Sequence, residues 1–372
     1  MDEIISSRLR RLRDNFPAAG IEALLVMSDE NRHYLSGFTG QDGACDETAG
    51  ALLITPDRLI LATDGRYLTQ AESEADGYEV ICYTRGLAAE LPSLLGNPDS
   101  LRLGVEARRL TLETSRKICD QWKATETGIA LEPMDETLDR LRARKDEREL
   151  ARIKEALVLA ENVFENFLAE ELRPGITEKR AAWLLEKRLR EAGADALSFP
   201  VIAAFSDNSA RPHAVCGEQH LKKNRPILFD WGVVVKAYCS DISRSFVWGR
   251  ADQDYQKVHE TVYAAQQEAI AAIKPGVEAR AVDKAARTVI ERAGYGDYFS
   301  HGLGHGVGLA IHEAPRVSSI SPAVLEEGMV FTVEPGIYLP GWGGVRLENM
   351  VVVRAGGAEV LNRTNSDLME IP

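Results

Sequence analysis

Residues 226–246, PILFDWGVVVKAYCSDISRSF, and residues 330–352, VFTVEPGIYLPGWGGVRLENMVV, decide how this chain folds. Each is a pair of runs rich in β-branched and aromatic residues, separated by turn residues, which reads as an antiparallel hairpin. Residues placed symmetrically about such a turn lie opposite one another and point to one face. Asp230 and Asp241 are symmetric about the 235/236 junction, and Glu334 and Glu348 about Gly341 in PGWGG. Each hairpin is therefore predicted to present two facing acids. A single Asp or Glu in a strand is ordinarily solvent-facing and inert. Here Ile227, Leu228 and Phe229 precede Asp230, and Val330, Phe331 and Val333 precede Glu334. Strands that are apolar on both faces are buried, and burying like charges together is costly unless a cation is present. Val235-Lys236 lacks the chemistry of a tight two-residue turn, so the second hairpin has the better-defined register.

Between the hairpins lies HGLGHGVG, residues 301–308, with His305 at its centre. Four acids and one imidazole, Asp230, Asp241, Glu334, Glu348 and His305, are the ligand set of a two-metal site. Two cations a few ångströms apart generate a hydroxide near neutral pH and polarise a carbonyl or phosphoryl oxygen. The set is oxygen-rich and hard. Two divalent ions are expected, manganese foremost, with cobalt, zinc or iron as the others it accepts. The glycines at 302, 304, 306 and 308 let backbone approach the site closely and make a helix unfavourable. His301 and His305 are four apart, yet a helical zinc-protease motif does not fit.

Three further histidines lie near these segments in sequence: His213 in NSARPHAVCG, His301, and His312 in IHEAP. A lone histidine is more often a surface or satisfied core residue. His213 and His312 are nevertheless within reach of the metals, as proton shuttle or as donor to a developing oxyanion. Arg346, two before Glu348, shares its strand face and could orient a ligand acid or bind a substrate carboxylate, or form a structural ion pair. Cys239 has no neighbouring base and reads as core.

Composition narrows the classes. A 372-residue chain implies two or three domains, and 45% hydrophobic residues are ample for a core. A net charge of −13 without a basic patch or tail argues against nucleic acid and anionic membranes. Five scattered cysteines without a CxxC pair read as reduced thiols. The start, MDEIISSRLRRLRDNF, lacks the apolar core of a signal peptide, and no run approaches a membrane span, so a soluble cytoplasmic protein is expected.

Residues 1–140 alternate helix-like and strand-like stretches: IEALLVMS, ALLIT and RLILAT as buried strands, and TLETSRKICDQW as a helix opened by a Thr cap. This α/β domain gives way, through the charge-dense LEPMDETLDRLRARKDERE, to a second domain at 141–372. That domain carries an internal repeat. LRPGITEKRAAWLLEKRLREAGA from Leu172 returns as IKPGVEARAVDKAARTVIERAGY from Ile273, offset by 101 residues. An amphipathic helix precedes each copy and an acid-bearing hairpin follows each. Two pseudo-symmetric α+β halves, packed sheet to sheet, would each contribute an acid pair to a site at their junction.

The order Asp230, Asp241 in SDISR, His305 in GLGHGVGL, Glu334 in EPG and Glu348 in RLEN resembles the pita-bread metallopeptidases: methionine aminopeptidases, Xaa-Pro aminopeptidases and prolidases. NRHYLSGFTG and DGRYLTQAE, with PHA and HEAP, make the chain similar to the Xaa-Pro branch over nearly its whole length. The resemblance implies a creatinase-like N-terminal domain at 1–140 that mediates dimerisation and substrate access, and a pita-bread catalytic domain at 141–372. It implies that Asp230 binds one metal and His305 and Glu334 the other, with Asp241 and Glu348 bridging. His213 and His312 would handle substrate and the tetrahedral intermediate, with His301 nearby. The implied substrates are peptides with proline at the second position, cleaved before that proline by a homodimer. A broader metalloaminopeptidase, a creatinase-type amidinohydrolase and a non-catalytic pita-bread binding protein are the alternatives; the last two typically lack these ligands. Ser243 stands where the family usually has Thr, Ala237 where Gly is common, and Arg211 where an apolar residue is usual.

Overall fold

The chain divides into two units, Met1–Arg142 and Ala143–Pro372, and the computed structural model describes residues 2–43, 47–124 and 128–372. Cys45 lies outside the described residues. The described cysteines, Cys82, Cys119, Cys216 and Cys239, are free thiols. Among the described residues no helix is long and apolar enough to cross a membrane.

The first unit is built on a mixed sheet whose spatial order is Glu79–Cys82, Leu59–Thr63, Ala51–Ile54, Ala23–Val26, Ser100–Val105, Gly128–Pro133. Its centre is buried on both faces: Ala23–Val26 and Ala51–Ile54 have no exposed residue, as their unbroken apolar runs require. The helix Leu112–Ala124 begins where the Thr111 hydroxyl accepts the Thr114 amide at 3.1 Å, and it buries Ile118 and Trp122 against the sheet.

In the second unit the repeat becomes two helix pairs, each with its own core. Glu147–Glu170, opened by a capping box at Asp146 and Glu149, packs with Glu178–Glu191 on the sheet Ile202–Phe205, Pro226–Trp231, Ile242–Trp248. Gln253–Ala272 and Ala279–Arg292 pack on the sheet that contains Gly304–Gly306, Val330–Val333 and Asn349–Arg354. The first core is aromatic: Phe164 stacks on Trp231 with centroids 3.8 Å apart, and Phe229 lies against Phe246 at 6.0 Å. The halves join along one seam. There the Glu348 amide donates to the Ser243 carbonyl at 3.1 Å, and Ser245 Oγ accepts the Arg346 amide at 3.0 Å.

The two hairpins part company in register. In the second, Val333 faces Asn349 and Gly336 faces Arg346. One continuous register therefore sets Glu334 opposite Glu348, about a turn where Trp342 N–H reaches the Leu339 carbonyl at 3.0 Å and Gly341 has φ 79°. In the first, Asp230 faces Ser243, not Asp241. The turn residues are Lys236 and Ala237, at φ 51° and 71°, with Val235 paired to Tyr238. The expected centre at 235/236 was one residue early, because neither Lys nor Ala carries the turn chemistry that a left-handed pair normally demands. A side chain at φ 71° costs roughly 1–2 kcal/mol over glycine, partly repaid by glycine's freedom in the unfolded chain. Ala237→Gly is expected to raise stability by about 1 kcal/mol, seen as a higher urea midpoint. A lower midpoint would mean that the methyl group packs rather than strains.

Candidate metal centre

The acids converge because backbone bonds tie their strands together. Asp230 is next to last in the strand Pro226–Trp231, and Asp241 lies two residues before its cross-strand partner Ser243. The two-residue register offset preserves face parity, so Asp230 and Asp241 still approach the same space. On the second hairpin, the Glu334 amide reaches the Leu303 carbonyl at 2.9 Å, beside the glycine-rich loop, while the Glu348 amide reaches the first half at Ser243. The loop fits between its neighbours only as glycine: a Cβ at Gly304 would fall on the Thr332 carbonyl of this hairpin, and one at Gly306 on the Ala314 carbonyl of the strand Glu313–Val317.

His305 is oriented by its backbone. Its Nδ1 lies 3.1 Å from the Gly306 carbonyl, an acceptor only, so Nδ1 carries the proton. The bare Nε2 then faces Asp241 Oδ2 at 3.5 Å and Glu334 Oε1 at 3.4 Å. A lone pair aimed at two carboxylates is repulsive unless a cation sits among them. Asp241, His305 and Glu348 each bring a ligating atom within 4.8 Å of the others. Two buried oxygens, Asp230 Oδ1 and Glu348 Oε1, have no hydrogen-bond partner among the described residues. These features fit divalent metal.

The electrostatics agree. Burial first, then repulsion from neighbouring acids, pushes Asp241 and Glu348 well above the usual carboxylate range, with Arg346 opposing. Burial raises Glu334 to about 7, again against Arg346. Burial also lowers His305, which keeps the ring neutral and ligand-competent. Arg346, 3% exposed, donates to Asp230 Oδ2 at 2.7 Å, Ser243 Oγ at 2.8 Å, the Tyr338 hydroxyl at 2.9 Å and the Pro212 carbonyl at 3.1 Å. One guanidinium cannot balance four carboxylates. Ser243, where Thr is usual, keeps the needed hydroxyl: it donates to Glu348 Oε2 at 2.8 Å.

The remaining histidines occupy different positions. His301 is not among the acids. Its Nδ1 donates to the Gly302 carbonyl at 2.8 Å, so Nε2 accepts from the Tyr338 hydroxyl at 2.9 Å. Burial lowers it to about 4. Arg346, Tyr338 and His301 therefore form one directed hydrogen-bond chain leading away from Asp230. His312 stands at the edge, its ring centroid 4.3 Å from that of His305 and nearly perpendicular to it. Burial, then the two neighbouring imidazoles, lower its affinity for a proton. His213 is exposed on the loop after the short helix Ser206–Ala210. The carbonyl of Pro212, the residue before it, accepts from Arg346 at 3.1 Å, which brings His213 beside the centre, near enough for its charge to bear on Glu334, His301 and His312. Arg211 is exposed and leans back toward Asn208 Oδ1 at 3.5 Å.

Four residues of this neighbourhood were not singled out in the sequence. Tyr338 is two along from Gly336, the partner of Arg346, so period-two counting would have placed it on the face of Arg346. The Thr332 hydroxyl accepts the His305 amide and donates to Glu334 Oε1, both at 3.1 Å. Arg316 is exposed and sits directly across the strand pair from His305. Lys145 pairs with Glu313 at 2.6 Å, the two side chains 1% and 6% exposed, behind the segment that carries His312. Tyr338 and Thr332, the latter two before Glu334, left a period-two signal; Arg316 and Lys145 depend on pairings between distant segments.

Comparison with known proteins identifies the family. The sequence profile of metallopeptidase family M24 matches residues 151–355, and that of the creatinase/prolidase N-terminal domain matches residues 8–144. An uncharacterized peptidase of Bacillus subtilis, YqhT, is 34% identical over 97% of this chain and 99% of its own. The structure of an Xaa-Pro dipeptidase from Bacillus anthracis superposes with a TM-score of 0.90 at 35% identity, covering 99% of this chain and 100% of that one. An X-Pro aminopeptidase from Thermotoga maritima gives 0.85 at 33%, covering 96% and 100%. With a creatinase-like first domain and a pita-bread second domain, the chain belongs to metallopeptidase family M24 and is a hydrolytic metallopeptidase.

Proposed function

We propose that this metallopeptidase is a two-metal exopeptidase that cleaves the bond between an N-terminal residue and proline. The observation that carries the reading is the approach of Asp241 Oδ2 and Glu334 Oε1 to the bare Nε2 of His305, with Glu348 within ligating range of Asp241 and His305, in a chain similar end to end to an Xaa-Pro dipeptidase and an X-Pro aminopeptidase. Asp230 would hold one cation and His305 with Glu334 the other, with Asp241 and Glu348 shared. Manganese is our first assignment, with cobalt, zinc and iron as the other ions that an oxygen-rich set takes. When bound, such ions supply a nucleophilic hydroxide near neutral pH and Lewis acidity at a carbonyl oxygen.

The chain's own residues do the rest. Arg346 fixes Asp230 Oδ2 and, through Ser243, the carboxylate of Glu348. His301 braces Tyr338 in the same chain of hydrogen bonds rather than touching substrate. His312, neutral and half-open beside His305, is placed to donate to the oxygen of the scissile carbonyl. His213, on the loop next to Arg346, would move the proton that the leaving proline nitrogen requires.

Arg316 bears on substrate length. Paired across the strands with His305 and exposed, it would offer a guanidinium suited to the free carboxylate of a dipeptide. Ala-Pro is therefore expected to be hydrolysed in preference to Ala-Pro-Ala. Arg316→Ala should raise KM for Ala-Pro by about tenfold with kcat little changed. A preference for the tripeptide, or an unchanged KM in the variant, would contradict the dipeptidase assignment. We further propose a cytoplasmic homodimer that pairs through the N-terminal unit, supported by the free thiols and by the creatinase/prolidase domain at 8–144. Light scattering that gives only a 41.0 kDa species at micromolar concentration contradicts the dimer; activity found in the secreted fraction contradicts the compartment.

A further inference from the structure

Glu178 opens the helix Glu178–Glu191 and its side chain is fully buried. An acid in a first helical turn ordinarily serves that helix's own amides. This one is turned elsewhere. Oε1 accepts the Phe205 amide and Oε2 the Gly217 amide, each at 2.8 Å, and Asn208 Nδ2 bridges both oxygens at 2.9 Å. Phe205 and Gly217 are the two stems of the loop that carries His213. Asn208 Nδ2 also reaches the Val215 carbonyl at 3.2 Å, across the loop from its own stem. The junction is reinforced by backbone bonds from Glu178 to Gln219 at 3.0 Å and from Lys179 to Gly217 at 3.1 Å. His213 is exposed, so the path of the loop rather than packing sets where its ring lies.

The second half repeats the device with a different residue. Asp283, on the helix Ala279–Arg292 and equally buried, accepts the Leu303 amide at 3.1 Å. It also holds Arg287, which donates to the carbonyls of Phe299 and His301 at 2.9 Å each. In both halves, then, the second helix of the repeat sends a buried carboxylate out to the adjacent histidine-bearing loop. A buried carboxylate that accepts several N–H bonds holds those donors strongly, and an error of about 1 Å in a substrate-handling group can cost a hundredfold in rate.

We infer that Glu178 is a positioning residue for His213: its carboxylate clamps both stems of loop 206–217 and so fixes the imidazole beside the metal centre, where Pro212 meets Arg346. The inference rests on the assignment of His213 to substrate. Glu178→Gln is the informative change, because the amide sets a donor against one of the two backbone N–H groups and releases one stem. It is expected to lower kcat/KM on Ala-Pro by about 10- to 100-fold, mainly through kcat, with metal content unchanged. In a His213→Ala background the same change should cost less than about threefold, since the group it positions is gone. A purely structural role would lower activity by the same factor in both backgrounds, and that result, or wild-type kcat/KM in Glu178→Gln, overturns the inference. Near-normal rates in His213→Ala alone remove the underlying assignment first and the inference with it. If Glu178→Gln fails to fold, Asn208→Ala keeps both backbone bonds to Glu178 while removing the bridge, and enters the same cycle under the same criteria.

Discussion

Glu348→Gln is expected to lower peptide hydrolysis by more than about a thousandfold while leaving a folded protein. The side chain is isosteric, and the Ser243 hydroxyl still finds a carbonyl oxygen to bond. What disappears is one negative charge at the middle of the ligand set. The signs can be separated. Burial holds the Glu348 proton affinity high, so its ionised form is a cost to the metal-free fold that the amide does not incur. Metal-free Glu348→Gln should thus melt no lower than metal-free wild type, yet gain far less on adding cation. Asp241→Asn is expected to behave alike, since the same burial and the same neighbours act on it. Metal analysis and melting of both variants, with and without manganese, check this. Wild-type turnover in either variant removes that residue from the site.

His213→Ala should keep both metals and lose turnover by roughly two to four orders of magnitude. His213 lies outside the ligand set, on an exposed loop, yet close enough for its charge to act on Glu334, His301 and His312. His301 and His312 are both held neutral by burial, and His301 is committed to Tyr338. The proposed function therefore gives the proton transfer to His213. Metal content and the rate on Ala-Pro, measured on one preparation, decide between roles. Loss of metal with activity would make it a ligand; unchanged rates would make it a bystander.

Much of this arrangement could be read from residue spacing, for reasons that also explain the lapses. Leu339-Pro340-Gly341-Trp342 is a turn with strong local chemistry, so counting outward from it puts Glu334 opposite Glu348, as the ladder does. Lys236-Ala237 has no such chemistry, and the first hairpin was centred one residue early. The slip was even in its effect on pairing, so Asp230 and Asp241 stayed on a common face. The repeat announced two halves because its helices need equivalent apolar stripes. Contacts made between distant segments stayed hidden: Thr332 under His305, Arg316 across from it, and Lys145 paired with Glu313. A single chain records which residues are present, whereas these pairings depend on how strands meet.

On the proposed function, the acids around His305 hold two cations. In the metal-free protein Asp241 and Glu348 sit well above the usual carboxylate range and Glu334 near 7. Acids shifted upward favour the fold at low pH, and that contribution fades as pH climbs through the shifted values. Cations must therefore displace protons when they bind near neutrality. The direct measurement is calorimetric titration of metal-free protein with manganese at pH 6.5, in two buffers of different ionisation enthalpy. Saturation at two ions per chain, with heats that differ between buffers in the sense of proton release, is the predicted result. No saturable uptake, or heats independent of buffer, would contradict it.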